Sequence, residues 1–259
     1  MASDRVSTKR TISIAVPAYN EVGNLENAVR SAVEAGSQLE DFEVLIVDDG
    51  SADGTTELAT QLAAGDSQIR AFHHPENRGF AAAYRTALEH ARMSYFTFVP
   101  GDGEVSPKSI QSILAAIGQA DLVISYHATP WARPLVRRFF TWASTTEVNL
   151  LFGWRLRYYQ GPTVYPTALA RALPHAATGF FFATEMLVNA LTAGCTFVEV
   201  GLAHQERIYG RSNALDWRNI VDAELTILRL WLAIRVRRMR SPAELLYENP
   251  VEFVERTEA

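Results

Sequence analysis

Phe42-Glu43-Val44-Leu45-Ile46-Val47-Asp48-Asp49-Gly50-Ser51-Ala52-Asp53-Gly54-Thr55 is the stretch on which the fold turns. An apolar, β-rich run from Phe42 to Val47 stops at two adjacent carboxylates and a Gly-containing turn. A helical pattern follows from Thr55 to Ala64. The same unit recurs outward in both directions. Further β-rich runs are Ile12 to Val16, Ile69 to Phe72, Tyr95 to Val99 and Leu122 to Ser125. Helical patterns lie between them at Glu21 to Ala35, Phe80 to Ala91 and Pro107 to Ile117. Such alternation predicts an α/β fold with a mostly parallel, twisted sheet and helices on both faces. Ligands of such sheets bind at the carboxyl ends of the strands, so the residues just after each strand are the candidate site.

Beyond Ser125 the rhythm changes. Trp131 to Phe152 reads as one long helix with an arginine-rich start, Gly161-Pro162 as a turn, and Thr184 to Ala193 as another helix. Phe197 to Gly201 reads as a late strand, and Asp216 to Met239 as a strongly amphipathic helix before an acidic tail. The expected organisation is a flexible start over 1–10, one α/β domain over 11–215, and a helical extension with its tail over 216–259.

The 259 residues are 48% hydrophobic and 20% charged, which excludes a disordered or coiled-coil chain. With 24 Lys and Arg against 29 Asp and Glu the net charge is −5, so no positive field recruits nucleic acid. Lys9 and Lys108 are the only lysines, and arginine clusters such as Arg133, Arg137, Arg138 suit phosphate or carboxylate recognition. The single cysteine, Cys195, excludes an intrachain disulfide and reads as a buried structural thiol. Met1 to Arg10 lacks the apolar core of a secretory signal, and no run reaches the roughly 18 apolar residues of a membrane span. A soluble, cytoplasmic location follows as the expectation.

The first strand ends in Pro17-Ala18-Tyr19-Asn20-Glu21, without the G-x-G-x-x-G of a dinucleotide site, which disfavours a nicotinamide oxidoreductase. At the second, the paired Asp48 and Asp49 need cationic or hydrogen-bonding partners. One carboxylate can accept from a base or ribose while the other braces the turn; alternatively, Asp-Gly-Ser and Asp-Gly-Thr are only turns and helix caps. Asn77-Arg78-Gly79 precedes the third helix, and Gly79 either admits a ligand to the backbone or simply starts the helix. The fourth strand runs into Pro100-Gly101-Asp102-Gly103-Glu104. There Asp102 and Glu104 can face one hard cation, Mg²⁺ or Mn²⁺, or form an acidic surface turn. His73 and His74 read as surface residues after a strand, and His127 and His204 lack metal-ligand spacing.

These strand ends resemble the nucleotide-sugar-binding half of family 2 glycosyltransferases with the GT-A fold. The likeness rests on Val16 to Glu21, Val47 to Thr55, Asn77-Arg78-Gly79 and the turn at Asp102. It implies a Rossmann-like, mostly parallel mixed sheet flanked by helices. It also implies a nucleotide site built from Pro17, Tyr19, Glu21, Asp48, Asp49, Gly79, Gly101 and Asp102. Pro100 stands at the first acid of the family's Asp-x-Asp, and Asp102 at the second. Metal binding is therefore carried to Asp102, with Glu104 as a second ligand. Gly179 to Met186, Val198-Glu199-Val200 and Arg207 to Asn213 resemble the dolichol-phosphate mannosyltransferase branch, whose acceptors are polyprenyl phosphates. Asn213 stands where a Lys is usual, and Arg211 supplies the charge in its place.

The resemblance implies metal-dependent, inverting transfer of a hexose from a UDP- or GDP-linked donor, with Asp102, Glu185 and Arg207 as catalytic residues. Polyprenyl phosphate is the favoured acceptor; a hydroxyl of a saccharide, lipid or natural product is the runner-up, and a non-catalytic nucleotide-sugar-binding protein is the reading from another class. Arg133, Arg137, Arg211 and Ser212 are the acceptor-binding candidates, Arg133 and Arg137 by sharing a helix face, unless they form a solvated basic face. Glu185 is either a base or a helix-dipole or ion-pair group. The C-terminal helix either packs on the domain, forms a homo-oligomer contact, or lies peripherally on the inner face of the membrane.

Overall fold

The computed structural model describes residues 10–103, 105–174, 176–177, 179, 181–203 and 217–236. The strands are β1 (Thr11–Ala18), β2 (Asp41–Asp48), β3 (Ile69–His73), β4 (Tyr95–Phe98), β5 (Leu122–His127), β6 (Thr163–Pro166) and β7 (Phe197–Leu202). The α-helices are α1 (Leu25–Gly36), α2 (Thr55–Gly65), α3 (Phe80–His90), α4 (Pro107–Ala115), α5 (Leu135–Phe152), α6 (Thr167–Ala172), α7 (Phe182–Thr192) and α8 (Trp217–Val236). The strands form one sheet in the order β3-β2-β1-β4-β6-β5-β7. Only β6 runs against its neighbours.

The apolar runs are continuous because both sheet faces are covered. Along β1 and β2, Ile12, Ile14, Val16, Val44 and Ile46 pack under α1 and α4. Their alternates Ala15, Leu45 and Val47 join Phe96, Phe98 and Ile124 under α3 and α7. Each such Leu, Ile or Phe contributes about 1.5–3 kcal/mol through removal from water. Ala223, Ile227 and Leu230 place α8 in this second core, so its inner stripe packs on the domain. Cys195 is buried and free, and burial pushes its thiol up to about 11.

The chain leaves β1 towards β2 on one side and reaches β4 on the other, so the sheet order reverses between β1 and β4. Crevices open at such points. β6 and α6 follow the turn expected at Gly161-Pro162, over residues for which no element was expected. Pro134 corrects the helix expected from Trp131: Pro130–Ala132 makes a short 3₁₀ turn, and Arg133 before the proline is extended at φ −100° and ψ 150°. Arg133 and Arg137 therefore do not share a helix face. Residues expected at Glu104, His204, Arg207, Arg211 and Ser212 lie outside the described residues, as does the acidic tail.

Candidate functional site

Parallel register sets Ala18 beside Asp48, and Asp48 beside His73. The loops that follow are stitched together by side chains. Asn20, at φ 54°, donates its N–H to Ser51 Oγ at 2.9 Å and accepts the Ala52 N–H on its Oδ1 at 2.9 Å. The Glu21 N–H reaches Thr55 Oγ1 at 2.9 Å, and the Val22 N–H reaches Asp53 Oδ2 at 3.3 Å. Glu21 also accepts from Asn24 Nδ2 at 2.6 Å, so its carboxylate helps to shape the entry to α1. Pro17 is half-buried, whereas Tyr19 is 47% exposed beside this platform.

Asp48 is 1% exposed and accepts Thr56 Oγ1–H at 2.6 Å and the Ser51 N–H at 3.2 Å. Burial alone would raise its pKa; the bonds from Ser51 and Thr56, with His73 alongside, outweigh burial and hold the carboxyl below its usual range. Asp49 is buried too. Its oxygens accept the Arg78 N–H at 3.0 Å and the Gly79 N–H at 2.7 Å. Both aspartates therefore brace loops: Asp48 holds its own turn and α2, and Asp49 holds the turn into α3. Gly50 makes this approach possible. Its φ is +74°, and a Cβ there would overlap the Glu76 carbonyl carbon and stand 2.7 Å from Asn77 N.

At the sheet reversal, the Gly101 N–H meets the Pro17 carbonyl at 3.2 Å, and a Cβ on Gly101 would come within 2.7 Å of that oxygen. Asp102 follows on the turn and is half-buried. Pro17, Tyr19, Glu21, Asp48, Asp49, Gly79, Gly101 and Asp102 thus all lie along one edge, at the carboxyl ends of β1, β2, β3 and β4. Among the described residues no three or more His, Cys, Asp or Glu gather into a metal cage.

Glu185 sits in the first turn of α7 and is 8% exposed. Its Oε2 accepts the backbone N–H groups of Ala176 and Ala177 at 3.0 and 2.7 Å. Arg85 of α3 donates to the Ala177 carbonyl and stacks over the Phe182 ring at 5.0 Å. This carboxylate ties the 176–177 loop to α7. Arg133 and Arg137 lie just after β5, on either side of Pro134, with Arg133 Nη1 3.4 Å from Thr141 Oγ1. Around them Trp131, Leu135, Phe139 and Trp142 are 70%, 74%, 60% and 64% exposed.

Sequence reading missed several residues that shape this edge. His74 is buried rather than on the surface, with its Nδ1 2.6 Å from Asp49 Oδ1. Thr86 and Arg85 on α3 were also missed. The only signal for them was an amphipathic helix following the Asn77-Arg78-Gly79 turn.

A reversal of strand order with paired carboxylates at the neighbouring strand ends is the setting in which open α/β sheets bind their ligands. Residues 13–183 match the family model described as glycosyl transferase family 2. The chain belongs to that family, and it is a glycosyltransferase that uses a nucleotide-sugar donor. It is 27% identical over 238 residues to undecaprenyl-phosphate mannosyltransferase of Micrococcus luteus, covering 87% of this chain and 96% of that one. It is 28% identical over 246 residues to polyprenol monophosphomannose synthase of Mycolicibacterium smegmatis, covering 90% and 91%. In fold it is similar to glucosyl-3-phosphoglycerate synthase of Mycobacterium tuberculosis in complex with UDP. The TM-score is 0.65 at 20% identity, over 86% of this chain and 80% of that one. Mannosyl-3-phosphoglycerate synthase of Rubrobacter xylanophilus also gives 0.65, at 18% identity over 88% and 74%. The fold is GT-A, as the strand ends led one to expect.

Proposed function

We propose that this glycosyltransferase moves a hexose from a UDP- or GDP-linked donor to polyprenyl phosphate, with inversion and with a divalent ion. The observation that carries the acceptor is α5. It leaves the same sheet edge as the donor site, with Arg137 in its first turn, Arg133 just ahead of Pro134 and an exposed apolar ridge beside them. Guanidinium groups bind a phosphate, and the ridge suits the lipid attached to it. Two relatives similar over nearly their whole length, named for undecaprenyl phosphate and polyprenol, support the same choice.

The donor's base and ribose lie along Pro17, Tyr19, Glu21 and Asp48, with Asp49 keeping Gly79 against the pocket. Asp102 fits Mg²⁺ or Mn²⁺, a hard carboxylate on a Gly-rich turn. Such ions take few protein ligands and complete their shell with diphosphate and water. Glu104 is proposed as the second ligand. The ion, when bound, supplies Lewis-acid stabilisation of the leaving diphosphate. A solved complex of the mycobacterial glucosyl-3-phosphoglycerate synthase holds Mn²⁺ together with UDP. Arg207 is proposed to contact the donor phosphates, and Arg211 and Ser212 the acceptor.

A phosphate monoester has a second pKa near about 6, so it is already a nucleophile at neutral pH. No base is then required, which agrees with Glu185 spending its Oε2 on two backbone amides. A hydroxyl acceptor is the second reading, and it is the one that would need Glu185 released from those amides. With a hydroxyl acceptor, a carboxylate in this position would be needed to take the proton.

Among the described residues no helix is long and apolar enough to cross a membrane. The outer stripe of α8, Val221, Leu225, Leu228 and Leu232, is exposed opposite its buried stripe. With the α5 ridge it offers a surface for peripheral membrane contact.

Transfer of radiolabelled sugar into organic-extractable lipid tests the proposal, using polyprenyl phosphate, a panel of nucleotide-sugars, and Mn²⁺ or chelator. Metal-dependent lipid label lost in Asp102→Asn is expected. Donor hydrolysis without lipid label would discard the acceptor, and turnover unaffected by chelator would discard the ion.

A further inference from the structure

β3 runs into two adjacent histidines, and each meets one of the adjacent carboxylates that end β2. His73 Nδ1 stands 3.4 Å from Asp48 Oδ2, and its Nε2 3.2 Å from Thr60 Oγ1 of α2. His74 Nδ1 stands 2.6 Å from Asp49 Oδ1, and its Nε2 3.0 Å from Thr86 Oγ1 of α3. Each carboxylate is thus linked through its own histidine to a threonine on a different helix.

The two arms differ in weight. The His73 contact is long for a hydrogen bond, and its ring is 33% exposed. The His74 contact is short and enclosed, with side chains 6% and 5% exposed. A bond to a carboxylate at this distance is of the strong kind. To donate it, Nδ1 carries the hydrogen, and the opposite ring nitrogen, Nε2, meets the Thr86 hydroxyl.

The His74 arm closes a ring. Asp49 also receives the Arg78 and Gly79 N–H groups, which open the entrance to α3. Thr86 lies about two turns further along the same helix. The bonds therefore run from the body of α3 through His74 and Asp49 back to its entrance. Without His74, the side-chain bonds of Asp49 among the described residues are the two amides at the entrance, and its link to the body of α3 is gone.

We infer that His74 is a positioning residue for donor binding. It fixes Asp49, and through Asp49 the Arg78–Gly79 turn, at the height where the nucleotide lies. The inference rests on the donor-site reading under Proposed function. Its signature is donor affinity, since neither histidine lies among the residues assigned to the acceptor or the metal.

The test uses the full chain with UDP and GDP in the presence of Mn²⁺, measured by calorimetry alongside thermal unfolding. His74→Leu removes both bonds and should weaken the nucleotide that wild type binds about tenfold, or about 1.4 kcal/mol. His74→Asn keeps a donor near the Nδ1 position and should recover most of that loss. Thr86→Val cuts only the far link and should cost about threefold. In turnover, donor KM should rise with kcat held within about twofold and acceptor KM unchanged. Unchanged affinity in His74→Leu, even with a lowered Tm, overturns the inference and leaves the donor site standing. Should His74→Leu fail to fold, unchanged affinity in Thr86→Val overturns it instead. If wild type binds neither nucleotide, the donor-site reading fails and takes this inference with it.

Discussion

Gly101→Ala adds one methyl group where the turn after β4 meets the end of β1. Gly101 is buried, and the added Cβ would lie 2.7 Å from the Pro17 carbonyl oxygen and 3.3 Å from the Ala18 Cβ. Ordinary contact begins at 3.4 Å, so the oxygen is 0.7 Å too near, and it belongs to backbone that cannot rotate away. Overpacking of this kind costs about 1–3 kcal/mol. At about 2–4 °C per kcal/mol for a chain of this size, a mid-range cost lowers Tm by about 4–8 °C. The strand ends that part are those carrying Pro17 and Asp102, so nucleotide affinity should fall with stability. Gly65→Ala is the matched control. Gly65 ends α2, and a Cβ there meets nothing within 4 Å. That substitution should be neutral or stabilise by about 0.4–1 kcal/mol. Scanning calorimetry and UDP or GDP titration with Mn²⁺ read both effects. A Gly101→Ala protein as stable as Gly65→Ala would refute the close-approach argument. A destabilised protein with unchanged nucleotide affinity would remove the crevice from the donor site.

The folded pKa of Asp48 lies below 3.8, so its stabilisation is complete above that value and lost as pH falls through the lowered one. Asp48→Asn should cost about 1–2 kcal/mol at neutral pH and converge on wild type in strong acid, as followed by urea titrations across pH. Glu147 of α5 has the opposite sign. Burial and the neighbouring Glu224 carboxylate of α8 raise its pKa above 4.5, so the pair is favourable when protonated and repels once pH exceeds the folded value. Glu147→Gln should therefore stabilise by a few tenths of a kcal/mol at neutral pH, with no gain in acid by the same titrations. Glu185→Gln weakens the acceptor for two buried amides and should lower stability by about 1–3 kcal/mol. With a phosphate acceptor kcat should fall little in the folded variant, and a loss of about a hundredfold or more would instead mark Glu185 as a base. Phe139→Glu and Trp142→Glu should abolish flotation with anionic vesicles while sparing nucleotide binding. Unchanged flotation, or a dimer mass lost in these variants, would assign the α5 ridge to something other than lipid.

How much of this was legible in the sequence depends on how far each partner lies along the chain. The strands β1, β2 and β4 were readable because a doubly covered sheet demands unbroken apolar runs. The start of α4 was readable because Pro107 opens it, and the structure adds Ser106 capping the Ser109 N–H. β6 was not, since its four residues depend on antiparallel pairing with both β4 and β5 rather than on their own pattern. The carboxylate pair shows the division most sharply. Adjacent acids at a strand end announce a need for partners, and those of Asp48 are near, at Ser51 and Thr56. Turn and cap chemistry was one of the two readings left open there, and it is the one that matches these partners of Asp48. The partners of Asp49 are Arg78 and Gly79, 29 and 30 residues on, and His74, 25 residues on. Nothing in local pattern tells a buried histidine from a surface one in His73-His74. His73 ends β3 opposite Asp48, whereas His74 lies past the strand and is enclosed by Asp49 and by Thr86 of α3. Pairing across the sheet thus sets a bare His-His dipeptide beside the paired carboxylates at the strand ends.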